Sequence, residues 1–494
     1  MGIDRKALVF RHHPIIRQIE PLSPMSLGNG SFGFSADVTG LQSFQEAYEI
    51  PLGTQSHWGW HSTGGRNKYQ LGDNRLQNLD TYGRPVPYPL WPEDREEEHH
   101  WLRQNPHRLQ LGNIGFKFFK SDGSVVQAEE LEEIEQQLNL WEGILYSRYR
   151  IEGELVEVET CVASSSDQIG VKIKSSLVAQ GRIHLFVRFP GPDMIHRAWD
   201  KSIFPDWDND DRHQSTVLLQ SDNQCWVERS MDDDRYEVRW CWTAGTVKQA
   251  GVHEFVLEPS ADAGETFECS FHFAENKASE PASVESIQAD SKTYWEQFWL
   301  RGGAVTFEGS TDPRWHELER RAVLSQYLTA IHSSGPIPPQ ETGLMYNSWF
   351  GKPHLEMHWW HAAHFPMWGR ESYLERGLEW YNKILPKAIE LAESQGYKGA
   401  RWPKMTDYDG NQSPSAVAAV LIWQQPHPIA LAEYLYLANP SRQILEKFKE
   451  IVYQSADFMA DYAVWREDRK AYVLGPPLIP AQECHKNWNI GVMD

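Results

Sequence analysis

The chain has 494 residues, a formal net charge of −21 and 40% hydrophobic residues. This length exceeds what one ordinary hydrophobic core organises, so we expect two or three domains. The negative charge argues against a nucleic-acid partner, because binding to the phosphate backbone needs clustered Lys and Arg. No apolar run is long enough to span a bilayer, and the N-terminal stretch lacks the apolar core of a secretion signal. The predicted location is therefore the cytoplasm, without a membrane partner.

Aromatic side chains are unusually frequent, with 22 Trp, 19 Tyr and 20 Phe beside 20 His. Tryptophan exceeds what core packing usually needs, and amphipathic aromatic faces suit ligands such as sugars. The five cysteines lie far apart without CxxC spacing, which predicts buried thiols and neither a disulfide framework nor a zinc site.

Residues 1–282 are predicted as a β-sandwich domain. Many short segments alternate apolar and polar residues between turn-like breaks, which is typical of a large antiparallel sandwich. The clearest is "ILYSRYRIEGELVEVETCVAS" (144–164), which predicts a hairpin with its turn at the glycine. The acidic segment "AEELEEIEQQLNLWEG" (128–143) is predicted as a short helix.

The periodicity changes after this region. Residues 283–312 are predicted as a helical linker, with Trp295, Phe298 and Trp299 on one helix face. Residues 313–494 are predicted as an all-helical domain, and loops rich in Gly, Pro and Trp separate its segments. The predicted helical segments are 313–333, 357–384 with a break, 386–395, 414–423, 426–438 and 441–464.

Five segments occur in the order of landmarks known from one group of enzymes. They are "LGNGSFGFSADVTG" (27–40), "YWEQFW" (294–299), "WFGKPHLEMHWWHAAHFPMW" (349–368), "GYKGARWPKMTDYDG" (396–410) and "GPPLIPAQECH" (475–485). On these landmarks the chain resembles the six-hairpin glycosidase superfamily, and within it glycoside hydrolase family 65. The resemblance implies an N-terminal β-sandwich (supersandwich) followed by an (α/α)6 barrel, with a sugar pocket at the barrel mouth.

The chain departs from this family in two respects. Where the family has a Trp-Asp pair, this chain has Trp360 and His361. The sequence also provides only about half of the helices of an (α/α)6 barrel, so we expect an incomplete barrel with exposed apolar helix faces. An isolated chain is then expected to be poorly stable or to form a homo-oligomer.

Glu483 is the predicted catalytic residue. Glycoside hydrolysis needs a carboxylic acid that protonates the departing oxygen. Glu483 follows apolar residues in a Pro-rich loop at the position of the family's acidic catalytic loop, and apolar surroundings raise the pKa of a carboxyl group. The alternative is an ordinary loop glutamate in contact with water.

A metal site is the alternative interpretation of the His-rich segment. His354, His358 and His361 share one face if the segment is helical, a spacing that permits metal binding. However, no HExxH motif is present, and Glu356 is expected to point away from that face. We therefore predict no metal and no other cofactor.

The predicted substrate-binding residues combine aromatic faces with groups that donate or accept hydrogen bonds, both suited to sugars. Some of them are expected to be core, and Trp402 in particular has docking into the helical core as an alternative. The full set is Trp349, Phe350, His358, Trp359, Trp360, His361, Lys398, Arg401, Trp402, Gln424, Gln425 and His427.

With the resemblance, these residues predict a glycoside hydrolase that acts on α-linked oligosaccharides or glycosides by an inverting general-acid mechanism. A disaccharide phosphorylase and a non-catalytic carbohydrate-binding protein are the alternatives, and a metal-dependent hydrolase is a third. The expected partner is a carbohydrate substrate.

Overall fold

The structure, a computed structural model, describes residues 2–73, 76–90, 96–195, 204–415, 418–475 and 478–479. The chain divides into two compact units. The β unit comprises Met1–Gly65, Arg108–His332 and Leu344–Asn347, and the helical unit comprises Arg66–His107, Ser333–Gly343 and Ser348–Asp494. Residues 66–107 thus cluster with the helices although they lie inside the first predicted range. The predicted domain boundaries themselves stay a prediction.

The strands are, in chain order, β1 (Ile15–Ile16), β2 (Met25–Gly28), β3 (Phe32–Ala36), β4 (Thr54–Ser56), β5 (Trp60–His61), β6 (Gln77–Thr81), β7 (Arg84–Tyr88), β8 (His107–Arg108), β9 (Asn113–Phe118), β10 (Glu132–Asn139), β11 (Ile144–Ile151), β12 (Glu154–Val162), β13 (Gln168–Lys174), β14 (Ile183–Arg188), β15 (Gln214–Gln220), β16 (Gln224–Met231), β17 (Asp234–Trp242), β18 (Gly245–Gln249), β19 (Glu254–Pro259), β20 (Thr266–Ala274), β21 (Ala463–Arg466) and β22 (Ala471–Leu474).

The α-helices are α1 (Arg5–Phe10), α2 (Glu96–Gln104), α3 (Ser176–Ala179), α4 (Val284–Leu300), α5 (Trp315–Ser333), α6 (His358–Ala362), α7 (His364–Met367), α8 (Glu371–Ser394), α9 (His427–Ala438) and α10 (Arg442–Tyr462). Of the helices that the structure describes, none is both long and apolar enough to cross a bilayer. The cytoplasmic location stays a prediction.

The β unit contains two antiparallel sheets that face each other. The larger has nine strands in the order β1-β10-β11-β12-β13-β20-β17-β16-β15, and the smaller has four in the order β18-β19-β14-β9. Trp240 of the larger sheet lies 5.8 Å from Phe255 of the smaller, between ring centroids. Phe118 and Tyr149 make a second such contact at 5.8 Å. Because alternate side chains of each strand point inward, these aromatic rings form the core between the layers.

The predicted hairpin is confirmed as β11 and β12, paired from Ile144↔Cys161 to Ile151↔Glu154. Its two-residue turn consists of Glu152 and Gly153, which both have positive φ values, 48° and 79°. Positive φ at both positions gives the turn the twist that flanking strands require.

The predicted helix at 128–143 is wrong. This segment contains a 3₁₀ turn at Ala128–Glu130 and then β10, which pairs with β11. Gln136 and Leu138 are buried on one face of the strand. Pairing with the neighbouring strands β1 and β11, together with the burial of alternate side chains, outweighs the helix propensity of the glutamates.

The predicted linker helix is α4, which packs on the large sheet. Trp295, Phe298 and Trp299 are all buried on its inner face, as the spacing predicted. The indole nitrogen of Trp299 donates to the Leu140 carbonyl at 2.6 Å. Gly143, with φ 66°, lies so close to Trp295 that an added Cβ would be 2.0 Å from the indole ring, so only glycine fits there.

A fully buried carboxylate, Glu319 on α5, joins the N-terminal residues to the rest of the β unit. It accepts hydrogen bonds from Arg11 Nε and His12 Nε2, both at 2.7 Å. It also accepts from Thr306 Oγ1 at 2.8 Å and from the Phe307 backbone N–H at 2.7 Å. Burial alone would raise its pKa, but these four donors lower the pKa of Glu319 to about 2.

We expect Glu319→Gln to lower the free energy of unfolding of the β unit by about 3 kcal/mol, because it removes a buried charge from saturated partners. Since the folded-state pKa lies below the usual value, this contribution is present above about pH 4.5 and is lost as the pH falls toward 2. Urea unfolding at pH 7 and pH 3 measures both effects. The matched control is Glu308→Gln, an exposed carboxylate 3.0 Å from the same Arg11. Equal effects of the two substitutions would contradict the prediction.

The helical unit has one core shared by α8, α9 and α10, with residues such as Leu378, Leu435 and Phe448. A second core joins the β6–β7 hairpin to the helices through Tyr88 and Phe458, among others. This contact explains why 66–107 cluster with the helical unit.

Two details of the helical prediction are wrong. Helix α8 runs without interruption from Glu371 to Ser394 with Pro386 inside it, so no helix ends near residue 385. The interruption between helices lies earlier, at residues 368–370. The described part of 414–423 forms a 3₁₀ turn at Ala418–Val420 and no α-helix.

Candidate functional site

The His- and Trp-rich segment is only partly helical. Helix α6 begins at His358, while His354 lies in an extended stretch that forms an isolated bridge with Met405. The three histidines therefore do not share one helical face. Among the described residues, the two groups with metal-ligand geometry are Asp210–His213–His253 and His61–Asp193–Asp232, and neither includes these histidines.

Glu356, which was expected to point away from the histidines, instead contacts His354. Its Oε2 lies 3.3 Å from His354 Nε2 and 2.9 Å from Lys404 Nζ. All three side chains are at least nine-tenths buried. Burial alone would raise the pKa of Glu356, but the hydrogen bond from His354 and the charge of Lys404 hold it below its usual range. The carboxylate is therefore ionised at neutral pH.

A strained turn places Trp349 beside this cluster. Trp349 and Phe350 have φ values of 50° and 63°, in the left-handed region that costs non-glycine residues about 1–2 kcal/mol each. The Trp349 ring centroid lies 4.9 Å from Lys404 Nζ and 6.1 Å from the His354 ring. Phe350 is fully buried. Backbone strain of this kind is concentrated at functional sites.

Lys352, two residues after Phe350, has a buried amine close to the same turn. Its Nζ donates to the carbonyls of Leu102 and Asn105, both at 2.8 Å. Burial lowers the pKa of Lys352 to about 7, and the nearby charge of Asp407 opposes that shift. These bonds tie the 102–105 segment to the Trp349 turn within the helical unit.

An open groove of about 290 Å³ borders the helical segment; its lining residues are Trp359, Trp360, Trp423, Pro426, His427 and Ala430. Trp360 is 63% exposed. Trp359 packs against the rings of His427 and Tyr434, at 5.6 and 5.5 Å. Burial lowers the pKa of His427, so its imidazole is neutral at pH 7 and both donates and accepts hydrogen bonds.

Four of the predicted sugar-binding residues hold the loop around Trp402. Gln425 pairs with Trp402 twice, accepting from its N–H at 2.9 Å and donating to its carbonyl at 2.7 Å. Gln424 Nε2 donates to the same carbonyl at 3.0 Å. The Trp402 ring is buried in the helical core, and Arg401 is fully buried as well. In this structure these side chains position the loop that carries Lys404.

The remaining predicted residues are dispersed. His358 is buried, with Nδ1 3.2 Å from the Tyr381 hydroxyl, and His361 Nε2 lies 3.0 Å from the Glu341 carbonyl. Lys398 is exposed. Glu483 lies outside the described residues, so its role as the acid stays a prediction, as do the roles of the whole substrate-binding set.

Glu356 and Lys404 are functional candidates that the predicted set of site residues does not include. They are 48 positions apart in the chain and meet because Leu355 N–H donates to the Lys404 carbonyl at 2.8 Å. Each residue belongs to one of the family-like segments, "HLEMHWW" and "ARWPKM". That shared membership was the signal available in the sequence, but the pairing depends on the tertiary structure.

No family model and no curated protein sequence matches the chain. Among solved structures, the chain is similar to a human-microbiome protein provisionally named kojibiose phosphorylase, with TM-score 0.62 and 9% identity over 95% of this chain and 61% of that chain. A bacterial glucoamylase complexed with acarbose aligns with TM-score 0.47 and 10% identity over 91% of this chain and 62% of that chain. A GH92 family glycosyl hydrolase aligns with TM-score 0.37 and 10% identity, over 97% and 66%.

The first likeness shows the fold. The chain shares with that structure an antiparallel β-sandwich followed by a helical domain, which is the fold that the resemblance implied, so the predicted fold class is confirmed. The chain spans 61% of the length of the kojibiose phosphorylase it matches.

Proposed function

We propose that this chain is a carbohydrate-active enzyme, a glycoside hydrolase that acts on α-linked oligosaccharides or glycosides by an inverting general-acid mechanism. The groove lined by Trp359, Trp360, Trp423 and His427 is the observation that carries the proposal. A sugar ring has an apolar C–H face and a polar rim. Exposed indole faces with a neutral imidazole beside them suit both parts of such a ligand.

The proposed roles divide between contact and chemistry. Trp359 and Trp360 stack against sugar rings, and His427 bonds a hydroxyl group. Glu483 protonates the departing oxygen, while a water molecule attacks the anomeric carbon from the opposite face. This attack displaces the aglycone and inverts the anomeric configuration, and the proton of the attacking water passes to a general base.

Phosphorolysis is the second candidate, because the fold is shared with a protein named for that activity. Phosphate would replace water as the attacking group, and the rest of the groove would serve the same purpose. A carbohydrate-binding protein that uses the groove without turnover is the third.

Product release from a panel of α-linked disaccharides, with and without phosphate, tests the proposal. Release of free sugar with inverted configuration and without phosphate supports the hydrolase. Product release that requires phosphate would contradict the hydrolase proposal and support the phosphorylase. Sugar binding without product release, with binding measured by calorimetry on the same panel, would support the carbohydrate-binding protein. A folded chain that neither binds nor cleaves any member contradicts all three.

Trp360→Ala is expected to weaken sugar binding by about 10- to 100-fold. Stacking of an indole against the apolar face of a sugar ring contributes on the order of 1.5–3 kcal/mol. Its exposure predicts little change in melting temperature. Met367→Ala, at a side chain that is 67% exposed on the adjacent α7, is the matched control and should leave binding unchanged. Calorimetric titration with the tightest disaccharide of the panel measures both. Equal binding by Trp360→Ala and the wild type would exclude this indole as a stacking face.

A further inference from the structure

Glu356 is a buried carboxylate in which one oxygen contacts polar partners and the other does not. Its side chain is only 10% exposed, and Oε2 alone makes the two contacts with Lys404 and His354. Within the described part of the chain, Oε1 accepts no hydrogen bond and makes no ion pair. A buried ion pair with a purely structural role usually has both carboxylate oxygens satisfied.

The backbone holds this carboxylate in place before any ligand binds. Leu355 N–H donates to the Lys404 carbonyl at 2.8 Å, and Thr406 N–H donates to the Pro353 carbonyl at 3.1 Å. These bonds pair the segment before α6 with the segment after Trp402. The position of Oε1 is therefore set by two stretches of chain that are hydrogen-bonded to each other, which lowers the entropic cost of binding.

Two observations link Glu356 to the groove. Its neighbour Leu355 presents its carbonyl to Nδ1 of the groove residue His427, at 3.2 Å. The negative charge of Glu356 also raises the pKa of His427 against the effect of burial, so the two groups are near enough to interact. Trp349, held by its strained turn, covers Lys404 at the other end of the cluster.

The charge balance of the cluster favours hydrogen-bond acceptance over proton transfer. An ionised carboxylate stabilised by an ammonium and an imidazole has a low affinity for protons, which makes it a weak general base. The same carboxylate is a strong acceptor, because hydrogen bonds to charged groups contribute about 1.5–3 kcal/mol. Hydroxyl groups of neutral sugars are donors of the required kind.

We propose that Glu356 determines specificity in the groove by accepting a hydrogen bond at Oε1 from one hydroxyl group of a neutral sugar, with Lys404 and His354 as positioning residues. This inference rests on the proposed function, since it names the group of the same site that recognises one sugar hydroxyl. It assigns Glu356 no part in bond cleavage.

The test is calorimetric binding of the tightest α-linked disaccharide of the panel and its complete set of monodeoxy analogues to wild type and Glu356→Gln. We expect Glu356→Gln to bind the parent sugar about 10- to 100-fold more weakly. One deoxy analogue should bind both proteins equally, because it lacks the hydroxyl group that Oε1 accepts. The remaining analogues should keep the full difference.

Glu356→Asp is a second variant, which keeps the charge beside Lys404 but withdraws the oxygens by one methylene. It should show the same single insensitive analogue. Glu375→Gln removes the carboxylate of another Lys–Glu pair of the helical unit, 2.7 Å from Lys447, and should leave binding unchanged. Melting curves confirm that each variant is folded.

The outcomes separate this inference from the proposed function. A uniform loss across all analogues, or none, would show that Glu356 acts structurally and would overturn the inference while the groove remains a sugar site. Sugar binding without turnover would contradict the hydrolase and leave the inference standing. Failure of the wild type to bind any sugar would overturn both.

Discussion

Glu483→Gln is expected to reduce product release from α-linked disaccharides by about a thousandfold, within the range that a positioned general acid contributes. Glutamine keeps the shape of the side chain but has no acidic proton for the leaving-group oxygen. Sugar binding should stay within about twofold of the wild type, because the lost contact matters mainly in the transition state. Steady-state kinetics and calorimetry on the same preparation separate the two effects.

Glu467→Gln is the matched control. Glu467 is an exposed glutamate that pairs with Lys470 on the β21–β22 hairpin, and its substitution should leave kcat and KM unchanged. A leaving group of low pKa, such as a nitrophenol, should restore much of the lost rate in Glu483→Gln, because it needs no protonation. Full activity of Glu483→Gln on an ordinary disaccharide would exclude this residue as the acid.

Arg401→Met is expected to lower the free energy of unfolding of the helical unit by about 3 kcal/mol. The fully buried guanidinium donates to the Tyr88 hydroxyl at 3.1 Å, to Gln395 Oε1 at 2.7 Å and to the Ala419 carbonyl at 3.2 Å. Methionine would remove the Arg401 donor from all three of these buried acceptors. It would also remove the cation from the face of the Phe458 ring, 5.6 Å away.

Lys398→Met provides the comparison for Arg401→Met, since it removes an exposed cation from the same loop and should change stability by less than about 0.5 kcal/mol. Urea unfolding followed by tryptophan fluorescence measures both variants. Sugar binding should be lost with Arg401→Met even below its melting temperature, because the loop that carries Lys404 is displaced. Two variants of equal stability would show that Arg401 contributes nothing beyond the exposed lysine.

The residues that line the groove could be named in part from the sequence. Sequence reasoning found the Trp359–Trp360 segment and His427, because dense aromatic residues beside polar groups are visible in the chain itself. It placed Glu356 on the wrong side of His354, since that placement assumed a continuous helix. The helix begins only at His358, whereas His354 forms an isolated bridge with Met405 and residues 355–357 form a turn before the helix.

By itself, the sequence determined the features that depend on neighbours along the chain. The β11–β12 hairpin follows from strict alternation around Glu152 and Gly153, and the buried face of α4 follows from the spacing of its aromatic residues. The landmark order was sufficient to predict the β-sandwich and the helical barrel.

Only the tertiary structure decided the features that depend on distant partners. Residues 128–143 have a helical composition, but the stretch Glu132–Asn139 forms a strand because it pairs with β11. Residues 66–107 join the helical unit because Tyr88 packs in its core. The carboxylate of Glu356 meets Lys404 through a backbone pairing that no local pattern encodes. Hydrogen bonds and burial between remote segments contribute more free energy than local propensity, so such contacts can be found only in three dimensions.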